Sequence, residues 1–169
     1  KATERIFLAP IKLAILPEII DYDLPFEGVA HNISIVKINK TFAGQAFKVM
    51  NAMWGAGQMM FNKIMLVVDQ DVDIHNYNEL TEHVLENFNP ESDLLFMNGP
   101  LDVLDHSASK FTYGSKLGID ATHKFEEELS DKNKNNQSPK VEASDIKKEF
   151  KEIINAHISN TEIATISLN

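Results

Sequence analysis

Four side chains with ligand chemistry stand two residues apart after an apolar run: Asp69, Asp71, Asp73 and His75. Oxygen donors at alternate positions open the calcium loop of an EF-hand. The rest of such a loop is missing here. Its sixth position requires glycine and holds Ile74, and its twelfth requires a bidentate glutamate and holds Leu80. The plainer expectation is that these groups cap a helix beginning near Asn76 and solvate the end of the preceding strand. A second group comprises Asp102, Asp105 and His106, followed by Lys116, Asp120 and His123. A histidine beside two carboxylates can move protons or help to bind a metal. Loop groups of this kind equally hold backbone amides in place, and with no nucleophile or third ligand in view a structural role is expected. No metal ligands are assigned. Gly114 and Lys116 invite a phosphate-binding turn, yet neither a Walker nor a dinucleotide fingerprint surrounds them. The chain has no cysteine, which removes disulfides and thiolate chemistry and fits a reducing compartment.

The elements that would carry these groups read as α/β. Ile33 to Ile38 is rich in β-branched residues and reads as a strand. In Gly44 to Trp54, apolar residues recur at three and four positions, the period of a helix. Ile64 to Val68 is a continuous apolar run, the pattern of a strand buried on both faces. Tyr77 to Phe88 reads as a helix with Asn76 as its N-cap, and Asp93 to Met97 as a third strand. Alternation of this kind predicts a mostly parallel sheet with flanking helices, in three layers. Around it, Lys1 to Val29 is expected as an extended arm, because Pro10, Pro17 and Pro25 oppose one long helix. Leu101 to Lys124 reads as a long ordered loop. Phe125 to Lys140 is polar enough for a solvated linker, and Ser144 to His157 reads as a tethered C-terminal helix. Its Ile146, Phe150, Ile153 and Ile154 face would dock on a neighbouring subunit or fold back on its own domain. The expected division is 1–124 for the α/β domain, 125–140 for the linker and 141–169 for the helix and tail.

Composition sets the outer bounds. Of 169 residues, 43% are hydrophobic and 24% charged, ordinary usage for a globular chain. Lysine and arginine number 16 against 25 acidic residues, a formal charge of -9. That balance lacks the basic footprint that binds nucleic acid or an anionic membrane. The longest purely apolar run, Ile64 to Val68, is far short of the roughly 20 residues a membrane span needs. No signal peptide is evident, so the expected location is cytoplasmic. The first residue is Lys1, and the chain reads as a piece of something longer.

Three long stretches carry a family resemblance. They are FLAPIKLAILPEIIDYDLPFEGVAHNISIVKI from Phe7, GQAFKVMNAMWGAGQMMFNKIMLVVDQDVDIHNYNEL from Gly44, and GPLDVLDHSASKFTYGSKLGIDATHK from Gly99. In register over about the first 124 residues, they resemble the C-terminal domain of the UbiD family of decarboxylases. The resemblance implies a reversible decarboxylase of aromatic or α,β-unsaturated acids, using prenylated FMN with a divalent metal, usually manganese. In the best-known branch the substrate is 4-hydroxy-3-polyprenylbenzoate in quinone biosynthesis. Such a lipid-like substrate would bring the enzyme to the inner membrane's surface.

The family's flavin fold, metal ligands and catalytic carboxylates lie upstream of the matched region. The resemblance therefore implies no catalytic residue, no cofactor and no metal in this chain, which alone would be inactive. It also implies a supporting role. The upstream flavin-binding domain of the same polypeptide would be its partner, with homo-oligomers as the assembly. The loop before the GSK motif would close part of the substrate pocket, which points to Phe111, Thr112 and Tyr113. Phe111 and Tyr113 would either shape the pocket or merely pack an ordered loop. The Trp-Pro element common in the family is absent after Lys124. The rival reading is a free-standing α/β ligand-binding or regulatory domain, with its ligand at the carboxyl end of the sheet.

Overall fold

The computed structural model describes residues 2–29, 32–129, 153–158 and 164–168. They fall into two compact units, Lys1–Glu128 and Leu129–Asn169. The first unit is built on a five-stranded sheet. Its strands are β1 (Ile19–Asp23), β2 (Ile33–Ile38), β3 (Ile64–Asp69), β4 (Leu94–Pro100) and β5 (Tyr113–Asp120), in the order β1-β2-β3-β5-β4. The central pairings β2–β3 and β3–β5 are parallel, and both edge pairings are antiparallel. The expected α/β architecture is present, as a mixed sheet.

Among the described residues three helices cover it: α1 (Ala2–Ala14), α2 (Gln45–Trp54) and α3 (Tyr77–Asn87). Strand alternation sends Val36, Ile38, Met65 and Val67 to one face, where Leu8 and Ile11 of α1 and Val49, Met50 and Met53 of α2 meet them. Ile35 and Val68 point the other way, into a second cluster with Leu80 and the half-buried Val84 of α3. Helices on both faces make the three layers. Among the described residues no helix is long and apolar enough to cross a membrane.

Three expectations are corrected. The arm before Pro17 is helical, although Pro10 lies inside α1 and removes a backbone donor there. Burial offsets that loss: Leu8, Ile11 and Leu16 are buried in the first core cluster. The Tyr22 hydroxyl also donates to the Glu4 carbonyl at 2.6 Å, and the Leu24 amide to the Glu4 carboxylate at 3.1 Å. Pro17 lies just past the helix end and Pro25 just before a 3₁₀ turn at Phe26–Gly28, where neither conflicts with a helix.

The second correction lies in the stretch read as a loop. Tyr113–Asp120 is a strand, and it takes the place between β3 and β4. The third strand, read as ending at Met97, runs on: Asn98, Gly99 and Pro100 extend β4 along β5, paired with Ser115, Gly114 and Tyr113.

The third concerns the terminal helix. Residues 144–152 lie outside the described residues. Ile153–Ile158 forms β6, hairpin partner of β7 at Ala164–Leu168. Apolar residues at 153, 154 and 158 satisfy a strand as readily as a helix, and β-branched isoleucines favour the strand.

The head of the expected linker is ordered as well. Glu128 Oε1 accepts the Gly44 amide at 2.7 Å, and its Oε2 accepts from the Lys40 ammonium at 2.6 Å and the Phe125 amide at 2.8 Å. Gly44 caps α2 from a left-handed φ of 76° and has no side chain of its own to serve the orphan amides. The Glu128 carboxylate supplies that group from 84 residues away.

Candidate functional site: an exposed aromatic turn and two inward-facing clusters

The turn between β4 and β5 has a firm base. Lys110 and Tyr113 each donate their amide to the other's carbonyl at 3.2 Å, enclosing Phe111 and Thr112. The Thr112 carbonyl also accepts the Leu101 amide at 2.9 Å. Thr112 sits at φ 56°, a left-handed conformation that a β-branched residue adopts at a cost. The base is hydrogen-bonded and strained; the tip is apolar and open. Phe111 is 84% exposed and Tyr113 46%. The register sets Tyr113 opposite Pro100, and Leu117 opposite Phe96, another exposed aromatic. The β4–β5 edge thus presents aromatic surface that nothing among the described residues covers.

Lys116 lies three residues into β5 and points inward. It is 2% exposed, with Nζ donating to the carbonyls of Met60 and Asn62, the latter at 2.7 Å. The ammonium also stands 5.6 Å from the centroid of the Trp54 ring. Burial still lowers its pKa from the ordinary 10.5 to about 8. With its charge spent on buried carbonyls, Lys116 is unavailable to a phosphate on the surface. Neither it nor Gly114, buried beneath Ser109 and Leu101, fits a flavin phosphate cradle.

The remaining candidates separate. Asp102 accepts the Leu104 amide, and Asp105 the Ser107 amide and the Lys63 ammonium. Burial alone would raise the Asp105 carboxyl, but the Lys63 and Ser107 hydrogen bonds outweigh it and hold the pKa below its ordinary 3.8. His106 is exposed. Asp120 is buried, binding the Thr122 amide at 2.9 Å and hydroxyl at 2.6 Å, with Lys124 at 3.1 Å. Asp73 accepts the His75 amide, and the His75 ring lies 3.6 Å from Asp21 and from Asp23. The alternate run is therefore no calcium loop: its members face different neighbours.

One member of each group does meet the other. Asp69 ends β3, and its Oδ2 accepts both the amide and Nδ1 of His123, each at 2.7 Å. His83, a residue the sequence did not single out, brings Nε2 to 3.5 Å from the same oxygen and 2.9 Å from the Ala121 carbonyl. The available signal was its spacing: His83 falls three residues after Leu80, on the core-facing stripe of α3.

The comparisons agree with this fold. A family model described as the 3-octaprenyl-4-hydroxybenzoate carboxy-lyase C-terminal domain matches residues 1–121. An uncharacterised protein of Archaeoglobus fulgidus is 49% identical over 129 residues, which cover 76% of this chain and 27% of that protein. Another, from Aquifex aeolicus, is 44% identical over 127 residues, or 75% and 26% of the two chains. The chain thus spans about a quarter of the length of these relatives. Among solved structures, the UbiD-class enzyme HmfF from Pelotomaculum thermopropionicum, in complex with FMN, superposes with a TM-score of 0.65 at 23% identity. The match covers 85% of this chain and 32% of that one. The open form of vanillic acid decarboxylase from Sedimentibacter hydroxybenzoicus gives 0.66 at 22% identity, covering 84% and 30%. At such identities the structures show a shared fold, and the family model and the relatives carry the assignment: this chain belongs to the UbiD C-terminal domain family.

Proposed function

We propose that this chain is the pocket-lining and oligomerising C-terminal domain of a UbiD-like decarboxylase. The complete carboxy-lyase would act on an aromatic or α,β-unsaturated acid, with 4-hydroxy-3-polyprenylbenzoate in quinone biosynthesis as the specific reading. The observation that carries the role is the turn at Phe111–Tyr113. An exposed aromatic tip on a doubly hydrogen-bonded base, with a strained threonine at its corner, is built to present side chains to something outside this unit. The span of about a quarter of the relatives' length supports the view that the larger part of the enzyme lies elsewhere in the polypeptide.

Prenylated FMN and manganese belong, in this reading, to the flavin-binding domain upstream. No catalytic step is assigned to residues of this chain, and the chain by itself is inactive. Phe111, Thr112 and Tyr113 set the shape of the pocket wall. The division at 124, with a linker to 140 and a separate tail, belongs to the same proposal. So do the cytoplasmic location and the homo-oligomer. A two-stranded hairpin such as β6–β7 is marginal alone in water, which favours a surface for the tail to join.

The test uses the complete enzyme. Phe111→Ala and Tyr113→Ala should shift the ratio of kcat/KM between acids of different size by about 10-fold or more, since one methylene in an apolar pocket is worth about 10–200-fold. Unchanged ratios across several acids would remove this turn from the pocket.

A further inference from the structure

We propose that Asp69, His83 and His123 form a binding site for one first-row divalent cation, with Zn²⁺ preferred. Each offers one ligand atom, and the three atoms lie within 4.8 Å of one another. Tetrahedral zinc holds nitrogen and oxygen at about 2.0–2.2 Å, which sets its ligand atoms roughly 3.3–3.5 Å apart. The separations from Asp69 Oδ2, 2.7 Å to His123 Nδ1 and 3.5 Å to His83 Nε2, already bracket that value. The two imidazole rings stand edge to face with centroids 5.3 Å apart, so neither blocks the space between their nitrogens.

The donor chemistry selects the ion. Two imidazoles and one carboxylate suit zinc, cobalt and nickel, whereas calcium and magnesium take oxygen cages. Two of the ligands are fixed by the fold. The Asp69 and His83 side chains are only 12% and 10% exposed, one at the end of β3 and the other within α3. The third is adjustable. The His123 side chain is 64% exposed, so its ring can rotate outward by the fraction of an ångström that an ion needs. The Ala121 carbonyl, 2.9 Å from His83 Nε2, or a water completes the set. Without the ion, His123 Nδ1–H and His83 Nε2–H make the hydrogen bonds. With it, each ring carries its proton on the opposite nitrogen and offers the lone pair inward.

Bound there, the ion fastens three chain segments that are remote in sequence: the carboxyl end of β3, α3, and the stretch that leaves β5. That stretch is also held by Lys40, which donates to the Thr122 hydroxyl at 2.9 Å and the His123 carbonyl at 2.8 Å. The site depends only on residues of this chain, and it can fail or succeed without touching the decarboxylase reading.

Cobalt chloride, followed by zinc chloride as competitor, is the probe. The full chain should bind one Co²⁺ with the intense visible d–d absorption of a four-coordinate site, and Zn²⁺ should bleach it. His123→Ala alters an exposed side chain and leaves the fold intact. It should weaken binding at least about 100-fold, because loss of even an outer partner of a metal ligand costs 10–100-fold. His83→Ala should do the same, while His75→Ala with His106→Ala should bind as the parent does. Absence of the absorption, or equal affinity in His123→Ala, would overturn the site. So would a loss of binding confined to the His75→Ala, His106→Ala protein.

Discussion

Strands β3 and β5 lie side by side, run parallel and are both central, yet only one of them looks like a strand. β3 reads IMLVVD, apolar on both faces, and its Met65, Val67 and Val68 are fully buried. β5 reads YGSKLGID. Its buried positions are Gly114, Lys116, Gly118 and Asp120, while Tyr113 and Ser115 are exposed. The alternation is complete, but the apolar residues are on the less buried side. Burial in β5 is governed by space and by polar partners. Gly118 shows the first: a Cβ there would meet Met50 Sδ at 2.5 Å and Trp54 Cη2 at 3.2 Å. Lys116 and Asp120 show the second, since each is buried with its hydrogen-bonding atoms occupied.

On one rung of the sheet Met65 pairs with Gly118 and Gly118 with Leu95. Large, small and large side by side let α2 settle over the glycine. Met65→Ala should cost about 2–5 kcal/mol through the cavity it leaves, and Gly118→Ala about 1–3 kcal/mol through overpacking. Urea denaturation measures both. The sharper form is a double-mutant cycle: Met50→Ala should relieve much of the Gly118→Ala cost, because it removes the atom in the way. Additive losses would mean that β5 tolerates volume as β3 does, and the contrast would fall.

Lys116 titrates near 8 in the folded chain against an ordinary 10.5, owing to burial. Between those values the unfolded chain holds the proton more tightly than the folded one, so stability rises with pH, by at most about 1.4 kcal/mol per pH unit. Below about 8 both states are charged and the term is flat. The Lys116→Met curve should lack this rise, so the gap between the two stability curves should change with pH between about 8 and 10.5. An identical slope in both proteins would show that the ammonium is not the titrating group.

These features explain what could be read from the residues and what could not. β2, β3, α2 and α3 announce themselves because each buries apolar side chains at its own period: Ile35, Val36 and Ile38, or Leu80 and Val84. α1 was concealed by Pro10, whose local cost is overridden by tertiary burial of Leu8 and Ile11. β5 was concealed by the glycines and ions on its inner face. No periodicity marks the turn at Phe111–Tyr113; only the family resemblance points to it. Asp69 and His123 stand in separate groups of the sequence, and only the parallel pairing of β3 with β5 brings position 69 beside the segment after 120. His83 is marked in the sequence only by its three-residue spacing from Leu80 in α3.

The order of β5 extends past its end. Glu128 is tied to Lys40, with both side chains largely buried, and to the Gly44 amide at the start of α2. Burial would raise its pKa; the Gly44, Lys40 and Phe125 hydrogen bonds outweigh that and hold it below its ordinary 4.5. For a depressed carboxylate the stabilisation is fully present above 4.5, and it is lost as pH falls through the folded value. Glu128→Gln keeps the size and one acceptor but removes the charge. A lost helix cap or charged hydrogen bond is worth about 1–2 kcal/mol, so the variant should be that much less stable at pH 7. The gap should narrow as the parent is acidified below 4.5. Its thermal transition should then merge with that of the parent near the acid limit of folding. A gap of the same size at pH 7 and pH 3 would mean that the contact is packing alone, and that the seam beyond β5 is held without Glu128's charge.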